Sequence, residues 1–318
     1  MEHSGPSRAM RLAAVPVMLL AGGLVAVQSQ INGRLAHELG TGPRAGFAAA
    51  VISFTTGLVL LSLAVVTQAS HRAKVRSLVH AVRTRGLRPV ELLGGLFGAF
   101  FVAAQGLTVA TIGVALFAVS ITAGQSCSAL VVDKIGLGPG GAQPINTPRL
   151  VAAIFAVCAV VLASGSKLVD AFSWQIALFT LLPFLAGGGT SVQAAINGRV
   201  ARVADPLVTT LNNFVVGTCG LVTAFLLSLL AHGSLHGLPG TWWMYLGGLI
   251  GMTFIWLSAL LVHVHGVLVL GLSMIAGQVI GAQIIQAVVD GRSPGAAAIG
   301  ACALVVLGVV VALVMRRR

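Results

Sequence analysis

Q-S-Q-I-N-G-R at residues 28–34 and Q-A-A-I-N-G-R at residues 193–199 set a glutamine, an asparagine and an arginine into otherwise apolar runs, twice. Three further matches follow in the same order. Phe54 and Gly57 match Phe214 and Gly217, and G-G-L-F-G at 94–98 matches G-G-L-I-G at 247–251. Ser120, Ala123, Gly124 and Gln125 match Ser273, Ala276, Gly277 and Gln278. Ordered matches at a nearly constant offset describe two copies of one unit, expected over residues 1–169 and 170–318.

Composition says what kind of unit this is. Hydrophobic residues make up 57% of the chain, charged residues 8%, and mean hydropathy is +0.99. A soluble domain carries about 25% charged residues, so most of this surface must face lipid. The net charge of +12 does not point to nucleic acid, because the basic residues fall in the gaps between apolar runs rather than along one face with interleaved aromatics. The four cysteines lie inside apolar runs without C-x-x-C spacing, and read as small core residues rather than a disulfide or zinc framework.

Ten segments are long enough to cross the hydrocarbon core: 12–33, 45–67, 90–110, 113–132, 149–166, 174–198, 206–231, 242–262, 266–288 and 295–315. The breaks at Thr111–Gly113 and His263–Gly266 are short and predict tight hairpins, whereas 40–44, 70–89 and 133–141 read as separators. The first segment is not expected to be a cleaved leader, because its polar motif recurs deep in the chain. Fifteen Lys and Arg fall on the side of the two termini and four on the other, so both termini are expected in the cytoplasm. Five spans per copy then invert the second copy relative to the first. Such inverted repeats are a hallmark of secondary transporters.

The duplicated Q-x-x-x-N-G-R, the F-x-x-G, the G-G-x-x-G and the A-G-Q resemble the YdcZ-like family of inner-membrane exporters, within the drug/metabolite transporter superfamily that also holds the ten-span EamA-type carriers. The resemblance runs over nearly all of residues 12–315 in two passes. It implies an all-α polytopic fold of two inverted five-helix repeats in the bacterial inner membrane, and export of a small polar or amphipathic metabolite or drug. Members are often single five-span chains that pair, and this chain looks like a fused pair; a homodimer of it stays open. Asp133 follows the first A-G-Q as the family pattern leads one to expect. The equivalent position at the same offset is Gln286, with Asp290 one turn later, so a symmetric role for that carboxylate is not expected.

Gln28 and Asn32 are four residues apart and share a helix face, as do Gln193 and Asn197. Amides gain nothing from lipid, so these side chains must point into the protein. With Gln125 and Gln278, mid-span in the fourth and ninth segments, they are the candidate substrate-binding residues. Two readings stand for them: lining a central pathway, or bonding neighbouring helices. Asn32 and Asn197 are expected at a helix exit, with Gly33 and Gly198 as left-handed caps and Arg34 and Arg199 as interfacial anchors. Gly94/Gly98 and Gly247/Gly251 read as close helix-packing sites.

None of the seven acidic residues is expected at a span centre, and the first span lacks the glutamate that small multidrug-resistance proteins use. Glu91 and Asp133 are expected to pair with basic loops. His263 and His265 read as interfacial, and G-L-G-P-G-G at 136–141, without a preceding strand, reads as a turn. Nothing assembles a nucleophile or metal set, so no enzyme activity and no cofactor is expected. The expected partners are a small-molecule substrate and the lipid bilayer, with no nucleic acid. A non-transporting subunit and a passive channel are the alternatives.

Overall fold

Hydrocarbon offers a peptide group no partner, so apolar runs of this length close their hydrogen bonds internally as helices. The computed structural model describes residues 8–138, 174–290 and 295–314, with scattered positions between 140 and 162. The described residues form α1 (Arg8–Leu39), α2 (Gly42–Thr67), α3 (Ala69–Arg83), α4 (Gly94–Lys134), α5 (Trp174–Val203), α6 (Pro206–Ser228), α7 (Gly247–Asp290) and α8 (Ala296–Val314). Short 3-10 turns lead into α4 and α7, and β1 (Gly40–Thr41) pairs antiparallel with β2 (Ser234–Leu235). Seven described helices are long and apolar enough to cross a membrane, and Ile299–Gly308 is a shorter apolar helix. Half of the expected span at 149–166 lies outside the described residues.

Two elements are too long for one crossing. The 41 residues of α4 would extend about 60 Å if straight, against about 30 Å of hydrocarbon. They are not straight: Gly113 sits at φ 79°, ψ 157°, and the rings of Phe101 and Phe117 approach to 6.0 Å. Sixteen residues of straight helix would hold those rings about 24 Å apart. So α4 is a hairpin of two helices turned at Gly113, as its short break predicts. The 44 residues of α7 double back likewise, since Ser258 Oγ lies 3.8 Å from Met274 Sδ.

Three local expectations need correction. The segment 70–89 is not a plain separator: 69–83 is helical, with Val75, Leu78, Val79 and Val82 on one face, the i, i+3, i+4, i+7 spacing of an amphipathic helix. Helices α1 and α5 run six and five residues beyond the expected ends, so N-G-R lies inside each helix and Gly33 and Gly198 do not cap it. Gly33 serves approach instead, since a methyl there would stand 2.7 Å from Val109 Cγ1. Cys127, Cys158 and Cys219 are exposed at the periphery rather than in the core.

Contacts made by one sequence copy recur at matching positions of the other. Phe54 and Phe214 stack at 4.7 Å between α2 and α6, and each ring fills the space over the other helix's glycine, Gly217 and Gly57. A Cβ on Gly22 of α1 would meet Met274 O at 2.0 Å, and one on Gly187 of α5 would meet Ile121 O at 2.1 Å. Gly277 abuts Leu19 O and Gly124 abuts Phe184 O in the same way. Thus α1 packs backbone to backbone on the second limb of α7, and α5 on the second limb of α4.

The ends of the bundle are tied separately. At one end β1 pairs with β2, and Arg44 Nη2 donates to Leu229 O at 2.7 Å. At the other, Asp205 caps α6 by accepting from Val208 N at 2.7 Å and meets His71 Nδ1 at 3.1 Å. Glu91 pairs there with Arg199 at 2.9 Å.

Adjacent glycines give a direct test of the α1–α7 approach. The Cβ of Gly22→Ala would overlap Met274 O, whereas that of Gly23→Ala finds its nearest neighbour at 3.8 Å. Gly22→Ala is expected to destabilise the detergent-solubilised protein by about 1–3 kcal/mol through overpacking. Gly23→Ala should stay within about 0.5 kcal/mol. Equal thermal unfolding of the two variants would contradict the packing.

Candidate functional site

The interior amides are organised by one repeated dock. On α1, Gln28 and Asn32 face Gly251 and Gly247 of α7: a Cβ on Gly251 would lie 2.6 Å from Gln28 Nε2, and one on Gly247 would lie 2.4 Å from Asn32 Oδ1. On α5, Gln193 and Asn197 face Gly98 and Gly94 of α4 at 2.6 and 2.8 Å. Each Q-x-x-x-N therefore lies on the G-x-x-x-G of the other copy. The glycines do more than let two backbones approach, because the space they leave is filled by amide side chains. Gln28 Nε2 also donates to Gly247 O at 2.9 Å.

The two docks are completed differently. Asn32 Nδ2 donates to Gln105 Oε1 at 2.7 Å, and Gln105 Nε2 donates to Ser29 Oγ at 2.9 Å. Around Asn197 the partner is Asn213 of α6, whose Nδ2 donates to Asn197 Oδ1 at 2.8 Å while its Oδ1 accepts from Gln193 Nε2 at 3.1 Å. The repeat places Ser258 opposite Gln105 and Ser53 opposite Asn213. Each asparagine thus has one amide partner and one serine nearby, with the two helices exchanging roles. Gln105 and Asn213 are the partners of the candidate residues that the sequence did not single out. Comparing the copies hides them, since neither is duplicated, although both are amides within apolar runs.

Two adjoining cavities open beside the docks. One, of about 30 Å³, is bordered by Gln125, Thr190, Gln193, Asn197, Ser258 and Met274. The other, of about 20 Å³, lies between Gln28 and Gln193 with Phe54, Phe101, Phe214 and Phe254 around it. Thr190, Gln193, Phe254 and Ile255 border both. Among the described residues no ionisable side chain borders either cavity, and the polar ones that do are neutral donors and acceptors set among aromatic and aliphatic walls. Gln125 Nε2 donates to Thr190 Oγ1 at 2.8 Å, while Gln125 Oε1 accepts nothing from the described residues. That leaves an acceptor for a bound molecule.

Of the six candidate residues, Gln28, Gln125, Gln193 and Asn197 therefore border the paired cavities. Asn32 and Gln278 are buried away from them, at 0% and 2% exposure. A separate space of about 390 Å³ lies beyond Asn32's dock, lined by Gln30, Arg34, His37, Gly113 and Gln286. Arg34 is exposed there, whereas Arg199 is held by Glu91.

Residues 13–162 and again residues 178–311 match the model of the family described as "Putative inner membrane exporter, YdcZ". A solved crystal structure superposes with a TM-score of 0.67 over 98% of this chain and 99% of that one, at 20% sequence identity; this likeness concerns the fold alone. The comparison with curated proteins gave no match.

Asn213 carries three hydrogen bonds, the third to Thr209 O at 2.8 Å, whereas Ser53 Oγ has no hydrogen-bond partner among the described residues. Removing the first strands buried amides in a low-dielectric interior. Asn213→Ala is expected to cost about 2 kcal/mol, and Ser53→Ala no more than about 0.5 kcal/mol. Unfolding of both variants in detergent measures this, and equal losses would show that the amide network is not what holds the dock.

Proposed function

The chain belongs to the YdcZ family of the drug/metabolite transporters, and from that premise we propose that it is a secondary carrier that exports a small polar or amphipathic molecule by alternating access. The carrier crosses the membrane ten times as two inverted five-helix repeats, residues 1–169 and 170–318, with both termini in the cytoplasm. The reciprocal contacts of Gly22 with Met274 and Gly187 with Ile121 support the inversion. The end ties support the sidedness: 40–41 joins 234–235, while His71 and Glu91 join Asp205 and Arg199. These groupings are the ones that ten crossings require.

One observation carries the reading. Matching docks border a common pair of cavities, yet Gln105 closes one dock while the matching Ser258 leaves space beside the other. Two closely similar packings of one motif, one filled and one open, are what an alternating carrier needs. The cargo contacts are assigned to Gln28, Gln125, Gln193 and Asn197. Asn32 and Gln278 complete the set when the opposite side opens. The Gln105–Asn32–Ser29 layer separates the cavities from the Arg34 vestibule.

Counterflow in proteoliposomes, screened over polar metabolites and drugs, tests this. Gln125→Ala is expected to lower exchange roughly tenfold, the effect of one lost hydrogen bond of about 1.4 kcal/mol. Ser258→Gln should abolish it by bridging Asn197 as Gln105 bridges Asn32. Unchanged exchange in both variants would refute the assignment, and no exchange by the wild type for any compound would favour a non-transporting subunit.

A further inference from the structure

The amphipathic helix α3 has no part in the pathway, yet it carries a feature of its own. Arg72, Arg76, His80 and Arg83 recur at helical spacing along one stripe, beside the apolar face of Val75, Leu78, Val79 and Val82. No acidic residue occurs between Glu38 and Glu91, so the segment has no carboxylate of its own to neutralise it. Leu78 anchors the helix, packing with Ile196, Val200 and Val208, and His71 ties its start to Asp205. The rest of the apolar face does not close on the bundle. Between α3 and α6 runs a groove of about 400 Å³ walled by Val75, Val79, Val82, Leu92, Leu211 and Val215, with Arg83 at its rim. Val79 and Val215 are 46% and 44% exposed along it.

We propose that this groove is a binding site for one anionic phospholipid of the leaflet on the basic side. An acyl chain lies along the valine and leucine walls, and the headgroup phosphate is bound by Arg83. A basic amphipathic helix lying at the interface attracts acidic headgroups, and an arginine pairs with phosphate through its planar donor fork. The fixed position of α3 against α5 and α6 turns that general attraction into a site. A zwitterionic lipid offers the same chains but no net charge, so the arginine sets the preference. The site lies apart from the two interior cavities and is independent of what the carrier moves.

Native mass spectrometry of the full chain in detergent, with phosphatidylglycerol and phosphatidylcholine supplied in equal amounts, tests the proposal. One phosphatidylglycerol should be retained roughly fivefold over phosphatidylcholine for the wild type, the preference expected of about one basic contact near the membrane surface. Arg83→Gln should remove the preference. Arg85→Gln, which deletes the same charge two residues away and outside the groove, should keep it. In nanodiscs, the added fluorescence of Val79→Trp should be quenched more by brominated phosphatidylglycerol than by brominated phosphatidylcholine. Equal retention of the two lipids by the wild type would overturn the site. So would equal loss in both arginine variants, or quenching at position 79 that does not distinguish the lipids.

Discussion

An amide side chain in hydrocarbon has nothing to bond to, and this constraint shapes the centre of the molecule. The protein meets it by laying Q-x-x-x-N of one copy onto G-x-x-x-G of the other, where glycine removes the Cβ atoms that would otherwise fall 2.4–2.8 Å from the amides. The polar motif on α1 and the small-residue motif on α7 are therefore one feature, as are those on α5 and α4. The backbone approaches at Gly22, Gly124, Gly187 and Gly277 follow from bringing these four helices together, and the Phe54–Phe214 stack joins α2 to α6 beside them. A side chain at any of these glycines would push the amides away from their partners.

Symmetry accounts for the docks, and departure from symmetry gives the site its character. Asn32 is answered by Gln105 and Asn197 by Asn213, from helices at non-equivalent places in the two copies. The serine that replaces the amide on each side takes up less room, and beside Asn197 that difference leaves space bordered by Gln125 and Ser258. The proposed alternation would exchange partners between these two packings, an amide in one standing where a serine stands in the other. Among the described residues the cavity walls offer neutral amides and hydroxyls as hydrogen-bonding groups.

Much of this was legible in the residues. The duplicated motifs, the hairpins at Gly113 and near Gly266, and the inward direction of Gln28 and Gln193 follow from hydropathy, spacing and the cost of amides in lipid. The ends of α1 and α5 were not, because N-G-R looks like a stop signal while tertiary contacts carry the helix on to Leu39 and Val203. Helix α3 escaped a reading that sought spans by length, although its i, i+3, i+4, i+7 valines and leucine were in plain view. Gln105 and Asn213 were hidden for another reason. A search for repeated residues discards those that differ between copies, and these two do their work by differing.

The central claim is that matching ends of the bundle open in alternation, and spin-label distances test it most directly. One pair at His37 and Gln286 spans the Arg34 vestibule; the other, at Lys134 and Arg202, occupies the matching end. Each pair is predicted to sample a short and a long distance, with the population of the long distance at one end rising as it falls at the other. A single distance at both ends, or both ends widening together, would contradict the account.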